Sequence, residues 1–231
     1  MKAVYADNNA TTPVAPEVMG AIIPYFTEEF YNPSAISGRA YGIDSVIARA
    51  RRTVAEFLGT SDAKEIVFTS CATESNNWVI FGVTRANPEP RHIITSQVEH
   101  PSILEACKSL CKNGYDVTFL SVDSNGNLST DELTDSLRPD TLLVTLMAAN
   151  NETGVIFPVD HLSAAVKDRD PNIIFHTDAT QYVGKLPVNL NHEFEHVDLM
   201  SFSGHKFHGP KGIGGLFIRK GTPLSPLLYG G

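Results

Sequence analysis

Seven short apolar runs, rich in Val, Ile, Phe and Thr, recur along this 231-residue chain and set most of what it can fold into. They lie at 65–69, 92–96, 116–122, 142–147, 173–177, 197–203 and 215–219, and between most of them are stretches of helical periodicity at 73–84, 101–113, 130–137 and 161–168. Strands alternating with helices predict an α/β fold: a mostly parallel, doubly wound sheet with helices on both faces. The near-continuous apolar character of the runs agrees, because a strand covered on both faces has no polar side. The first sixty residues read differently. Val4 begins apolar structure, Asn8 to Pro13 form a turn, a helix spans 16–26, and Asn32-Pro33-Ser34 is a loop. A long amphipathic helix over 43–58 is stopped by Gly59, with Arg49, Arg51 and Arg52 on its solvated face.

Ligands of such sheets bind outside the carboxyl ends of the strands, so the residues that follow each run become the candidates. Ser203-Gly204-His205-Lys206 ends the run at 197–203. A lysine with a pKa of about 10.4 is a weak nucleophile at neutral pH, whereas one desolvated beside other cations becomes a usable amine. His205 and Lys211 are the expected neighbours; the plain alternative is a solvated lysine in a surface turn. After 65–69, small and hydroxylated residues around Ala72 and Thr73 open a helix, which suits a phosphate, or else Thr73 simply caps the helix. After 92–96 comes His100, just before the helix-opening Pro101, where an imidazole can stack on a flat ring. Asn150 and Asn151 make a polar turn after 142–147. Asp178 and Gln181 follow 173–177, and that carboxylate can hold a metal, cap a helix or pair with a protonated ring nitrogen. His176 lies inside the strand and reads as a core residue.

Lysine, strand-end aspartate, ring-stacking histidine and phosphate-binding helix start are together what holds pyridoxal 5'-phosphate. A metal site on His205, His208 and Asp178 is the rival, but His205-x-x-His208 lacks both the zincin spacing and its glutamate. Gly209 to Gly215 lacks the order of a nucleotide P-loop.

Charge and cysteine content narrow the partners. A formal net charge of -8 argues against nucleic acid and anionic membrane and favours a small polar ligand. No apolar run approaches a membrane span, and no charged-then-apolar leader opens the chain, so a cytoplasmic protein, or an organellar one whose leader was removed, is expected. Three cysteines, Cys71, Cys107 and Cys111, form no disulfide framework and fit a reducing compartment. Cys107 and Cys111 read as small buried hydrophobes.

The motifs Tyr5 to Pro13, Asn32 to Ser34, Ala72 to Asn77, Glu99-His100, Asn150 to Gly154, Asp178 to Gln181, Ser203 to Lys206 and Gly209 to Gly212 run the length of the chain. With them the sequence resembles the cysteine desulfurases, a branch of the class V aminotransferases among fold type I pyridoxal phosphate enzymes. The resemblance implies that Lys206 holds the cofactor through a Schiff base and moves a proton. It implies that Asp178 pairs with the pyridinium nitrogen and that His100 stacks on the ring as the second catalytic residue. Ala72, Thr73, Ser203 and His205 would bind phosphate, and Gln181 and Asn151 would reach the phenolic oxygen or the substrate carboxylate. It further implies L-cysteine as substrate, a homodimer, and an iron–sulfur scaffold or other sulfur acceptor protein as partner. Residues 1–14 would be an N-terminal segment and 15–231 the cofactor-binding large domain. The family's mobile nucleophilic cysteine and carboxylate-gripping arginine belong to a small C-terminal domain beyond Gly231, so the chain taken alone is expected to be impaired. Cys71 stands where the family commonly has a glycine. Selenocysteine lyase, or a non-catalytic cofactor-binding and dimerising module, are the alternatives.

Overall fold

The computed structural model describes residues 4–34, 40–89 and 91–230, with only the backbone at 40 and 41. Its strands are β1 (Ile66–Thr69), β2 (His92–Ser96), β3 (Asp116–Leu120), β4 (Thr141–Met147), β5 (Ile174–Asp178), β6 (Leu199–Ser203) and β7 (Gly214–Ile218). Its helices are α1 (Pro16–Ile22), α2 (Pro24–Thr27), α3 (Ala40–Leu58), α4 (Ala72–Ala86), α5 (Pro101–Lys112), α6 (Thr130–Ser136) and α7 (Val159–Arg169). The strands form one sheet in the order β1-β7-β6-β5-β4-β2-β3. Only β7 runs against its neighbours, β1 and β6; every other pairing is parallel. The carboxyl ends of the six parallel strands therefore share one edge.

Alternation along each strand divides the core in two. Ile93, Leu143, Ile174, Leu199 and Leu216 pack with Val79, Ile80 and Val83 of α4 and Ile103 of α5. Their neighbours Ile94, Val144, Phe175, Met200 and Phe217 point the other way, toward Leu58 of α3, Leu133 of α6 and Leu162 of α7. Helices thus cover both faces, and each fully buried aliphatic side chain stabilises the fold by roughly 1.5–3 kcal/mol. No helix among the described residues is long and apolar enough to cross a membrane.

Several local expectations are corrected. The helix expected over 16–26 is two, because Pro24 has no N–H to continue the ladder from α1. The strand expected to reach Val122 leaves the ladder at Leu120; Val122 meets only Leu128, across a turn held by Asp123 Oδ1, which accepts from the Asn125 and Asn127 amides. Val4 is 89% exposed and lies outside any helix or strand. Arg51 is not a solvated residue: its guanidinium donates to the Ile66 carbonyl and lies 5.2 Å from the centroid of the Phe68 ring. Cys107 is buried as expected, but Cys111 is exposed. His176 is a core residue, between Thr145 Oγ1 at 2.7 Å and Ser201 Oγ at 3.0 Å. Burial pushes its imidazole well below the ordinary histidine range, against the pull of the Asp178 carboxylate.

Candidate active site

At the carboxyl edge of the sheet a cavity of about 410 Å³ opens. The nine residues to which the resemblance assigns a role all line it, whereas Asn150, His208 and Lys211, also named from the sequence, do not. Ala72 and Thr73 come from the start of α4, His100 from the start of α5, and Asn151 from the turn after β4. Asp178 ends β5 and Gln181 follows it, while Ser203, His205 and Lys206 come from the end of β6 and its short turn.

Lys206 sits in the 3-10 turn Gly204–Lys206, beneath a strap formed by residues 9–12. Its Nζ donates to the carbonyl oxygens of Asn9 at 2.6 Å and Ala10 at 2.9 Å. Thr12 fastens the strap: its N–H and hydroxyl both donate to the His205 carbonyl at 2.9 Å, and its Oγ1 accepts the His208 amide at 2.7 Å. Thr11 Oγ1 lies 3.0 Å from His205 Nδ1. His208 adopts φ 67°, the left-handed region, so that its amide and its Nδ1–H, which donates to the Pro13 carbonyl at 3.1 Å, both turn to the strap.

Burial lowers the Lys206 amine below the ordinary lysine value, and the carboxylates of Asp178 and Asp7 oppose the shift. Of the two expected causes, desolvation and flanking cations, only desolvation lowers the amine. The cationic influence runs the other way: Lys206 and Lys211 add to burial in holding His205 below its ordinary value. Lys185, which the sequence did not single out, is lowered by burial and by Lys206. It donates to Gln181 Oε1, whose Nε2 in turn donates to the Asn9 carbonyl at 2.9 Å.

Asp178 is 5% exposed. Its Oδ1 accepts the Thr180 amide at 3.0 Å and its Oδ2 accepts Asn76 Nδ2 at 2.7 Å. Asn76 was missed, although it stands four residues after Ala72 on α4 and so shares its face. The two asparagines after β4 divide their work. Asn150 turns inward, donating to the Val98 carbonyl and accepting the Glu152 and Thr153 amides, while Asn151 faces the cavity and donates to Glu152 Oε1 at 2.7 Å. Glu99, beside His100, is buried; its Oε1 accepts from Ser96 Oγ and the Met147 amide. Burial raises its carboxyl to about 8.

The helix start is shaped for an anion. The N-cap of α4 is Cys71, which provides no side-chain cap, so Thr73 is not a cap. The first backbone bond into the helix comes from Ser75, and the positive end of the dipole faces the cavity. Gly214 allows the close approach: a Cβ there would lie 2.7 Å from both Cα and C of Cys71. Ser203 Oγ is buried and has no hydrogen-bond partner among the described residues, a state that costs about 1–3 kcal/mol unless a ligand satisfies it. A donor in want of an acceptor beside an uncapped helix start fits a phosphate; a half-desolvated lysine, a buried carboxylate and an imidazole fit the ring that the sequence implied.

A family model described as aminotransferase class V matches residues 4–231. The chain belongs to that family. Among curated relatives of this class V chain, a cysteine desulfurase of Nostoc sp. is 50% identical over 231 residues, covering all of the chain and 56% of the relative. The cysteine desulfurase NifS of Azotobacter vinelandii is 43% identical with the same coverage. A solved NifS-like protein superposes with a TM-score of 0.96 at 43% identity, over all of this chain and 62% of its own. SspA in complex with cysteine superposes with a TM-score of 0.94 at 38% identity, over 99% of this chain and 65% of its own. The chain thus spans a little over half the length of the curated relatives it matches.

Proposed function

We propose that this protein is the pyridoxal-phosphate-binding part of a cysteine desulfurase, which converts L-cysteine to L-alanine and passes the sulfur to a protein thiol for iron–sulfur cluster assembly. The observation that carries this reading is the cavity itself, where a strand-end lysine, a buried carboxylate, an imidazole and an orphan hydroxyl meet at an uncapped helix start. Similarity along the whole chain to cysteine desulfurases adds the substrate.

When bound, pyridoxal phosphate supplies an electron sink for charge released at the substrate α carbon. On this reading Lys206 anchors the cofactor and then moves the α proton, a task suited to an amine already depressed by burial. Asp178 would pair with the ring nitrogen, and His100 would cover the ring. Ala72, Thr73, Ser203 and His205 would bind the phosphate, and Gln181 and Asn151 would hold the phenolic oxygen or the substrate carboxylate. The reaction balances without an external oxidant: the C–S bond breaks, the sulfur joins a protein thiol as a persulfide, and a proton goes to the alanine methyl. Cys107 is unsuited to accept that sulfur, because burial pushes its thiol up to about 12 and thiolate is the nucleophile. We further propose residues 1–14 as an N-terminal segment, 15–231 as the cofactor-binding domain, and a homodimer as the assembly.

Incubation with pyridoxal phosphate is expected to give a visible absorption band that Lys206→Ala loses. The absence of any lysine-dependent band would refute cofactor binding at this site. Alanine release and persulfide formation by the full-length parent then test the reaction.

A further inference from the structure

His100 Nδ1 accepts the backbone N–H of Ser102 at 3.1 Å and lies 2.8 Å from Ser102 Oγ. A backbone amide can only donate, so Nδ1 offers its lone pair and the proton of the neutral ring is on Nε2. The Ser102 hydroxyl follows from this. Its oxygen accepts Asn76 Nδ2 at 2.9 Å, and, facing a lone pair on Nδ1, it gives its own hydrogen to that nitrogen. Asn76 cannot be turned over, because its other Nδ2 hydrogen bonds Asp178 Oδ2 at 2.7 Å, and a flipped amide would set its oxygen against that carboxylate. Asn76 is fully buried and its Oδ1 has no partner among the described residues, so the amide orientation is dictated from the Asp178 side.

We propose that Asn76 and Ser102 are positioning residues which, through a one-way hydrogen-bond relay from Asp178, hold His100 as the Nε2–H tautomer. Both residues and both ends of the relay line the cavity, and Nε2 has no hydrogen-bond partner among the described residues. His100 therefore presents a donor, not an acceptor, to whatever the cavity holds. In the reaction proposed above, that N–H is placed to donate a hydrogen bond to the substrate or the cofactor. What Nε2 meets depends on that reading; the tautomer does not.

Long-range proton–nitrogen correlation spectra of the chain labelled with ¹⁵N-histidine, without cofactor, test the relay, with His100→Gln used to assign the resonance. The expected wild-type pattern is an unprotonated Nδ1 and a protonated Nε2. Ser102→Ala is expected to shift Nδ1 toward the resonance of an unbonded imidazole acceptor, Asn76→Ala to do so by a smaller amount, and Ser102→Thr to restore the wild-type pattern. A proton on Nδ1 in the wild type, or a Ser102→Ala spectrum identical to it, would overturn the proposal. The signals of the other seven of the eight histidines report whether each variant is folded, and the wild-type spectrum decides the tautomer even if Asn76→Ala is not. A chain that shows the Nε2–H pattern yet gains no band with pyridoxal phosphate would sink the cofactor reading and leave the relay standing.

Discussion

The Lys206 ammonium donates to the carbonyl oxygen of Asn9 at 2.6 Å, so the lysine of the candidate site is held by chain 197 positions away. Gln181 donates to the same oxygen. The strap is fastened by the Thr12 hydroxyl, which is nearly buried and bonds on both sides. Thr12→Ala is expected to leave the His208 amide unpaired and to cost about 1–3 kcal/mol of stability. Thr12→Ser should cost less than half of that. Urea denaturation of the three proteins measures the difference, and equal midpoints would show that the strap is not held in this way.

Gly214 sets the distance between β7 and the start of α4. Gly214→Ala is expected to push Cys71 and the first turn of α4 aside, since a Cβ 2.7 Å from backbone atoms has nowhere to go. Overpacking of this kind costs about 1–3 kcal/mol. Equilibrium dialysis against pyridoxal phosphate should show weakened binding, and unchanged affinity would count against the phosphate assignment.

Glu99 makes stability depend on pH. Its carboxyl lies at about 8 in the folded chain, against an ordinary value of 4.5. The folded state therefore holds a proton that the unfolded state has released between these values. The stabilisation is complete below about pH 4.5 and is lost as pH rises toward 8, at about 1.4 kcal/mol per unit. Glu99→Gln keeps an acceptor for Ser96 and the Met147 amide and removes the titration. The variant should gain on the wild type by a few kcal/mol between pH 5 and pH 8. Parallel stability curves across that range would contradict it.

Lys167 and Asp198 form an ion pair at 2.5 Å with side chains only 15% and 16% exposed. Asp198 Oδ2 also accepts the Phe175 amide, and Lys167 also donates to the Ile173 carbonyl. Lys167→Met leaves a nearly buried carboxylate uncompensated and is expected to cost about 3 kcal/mol. Combining it with Asp198→Asn should recover part of that loss. Additive losses in the double-mutant cycle would mean that the pair is not coupled.

Much of the site was legible because parallel strands bring the residues after them to one edge. Lys206, Asp178, His100 and Thr73 follow from that rule alone. Asn76 was legible in principle, four residues along α4 from Ala72. Arg51 was not: helical periodicity places it on the outer face, and only the packing of α3 beside β1 brings it to the Ile66 carbonyl and the Phe68 ring. Nor was the choice between the two expected causes of the Lys206 shift, which depends on how deeply the turn sits and on Asp7 and Asp178 reaching it from elsewhere in the chain.

Alternation and apolar runs determined the strands, the helices and the two covered faces, because burial leaves its period in local sequence. Strand order, the reversed β7 between β1 and β6, and the strap over Lys206 were decided only by the tertiary structure. Each of these brings a backbone N–H or carbonyl to a partner far away in the chain, and such a group has the same chemistry at nearly every position. No side-chain pattern records which distant partner it will meet.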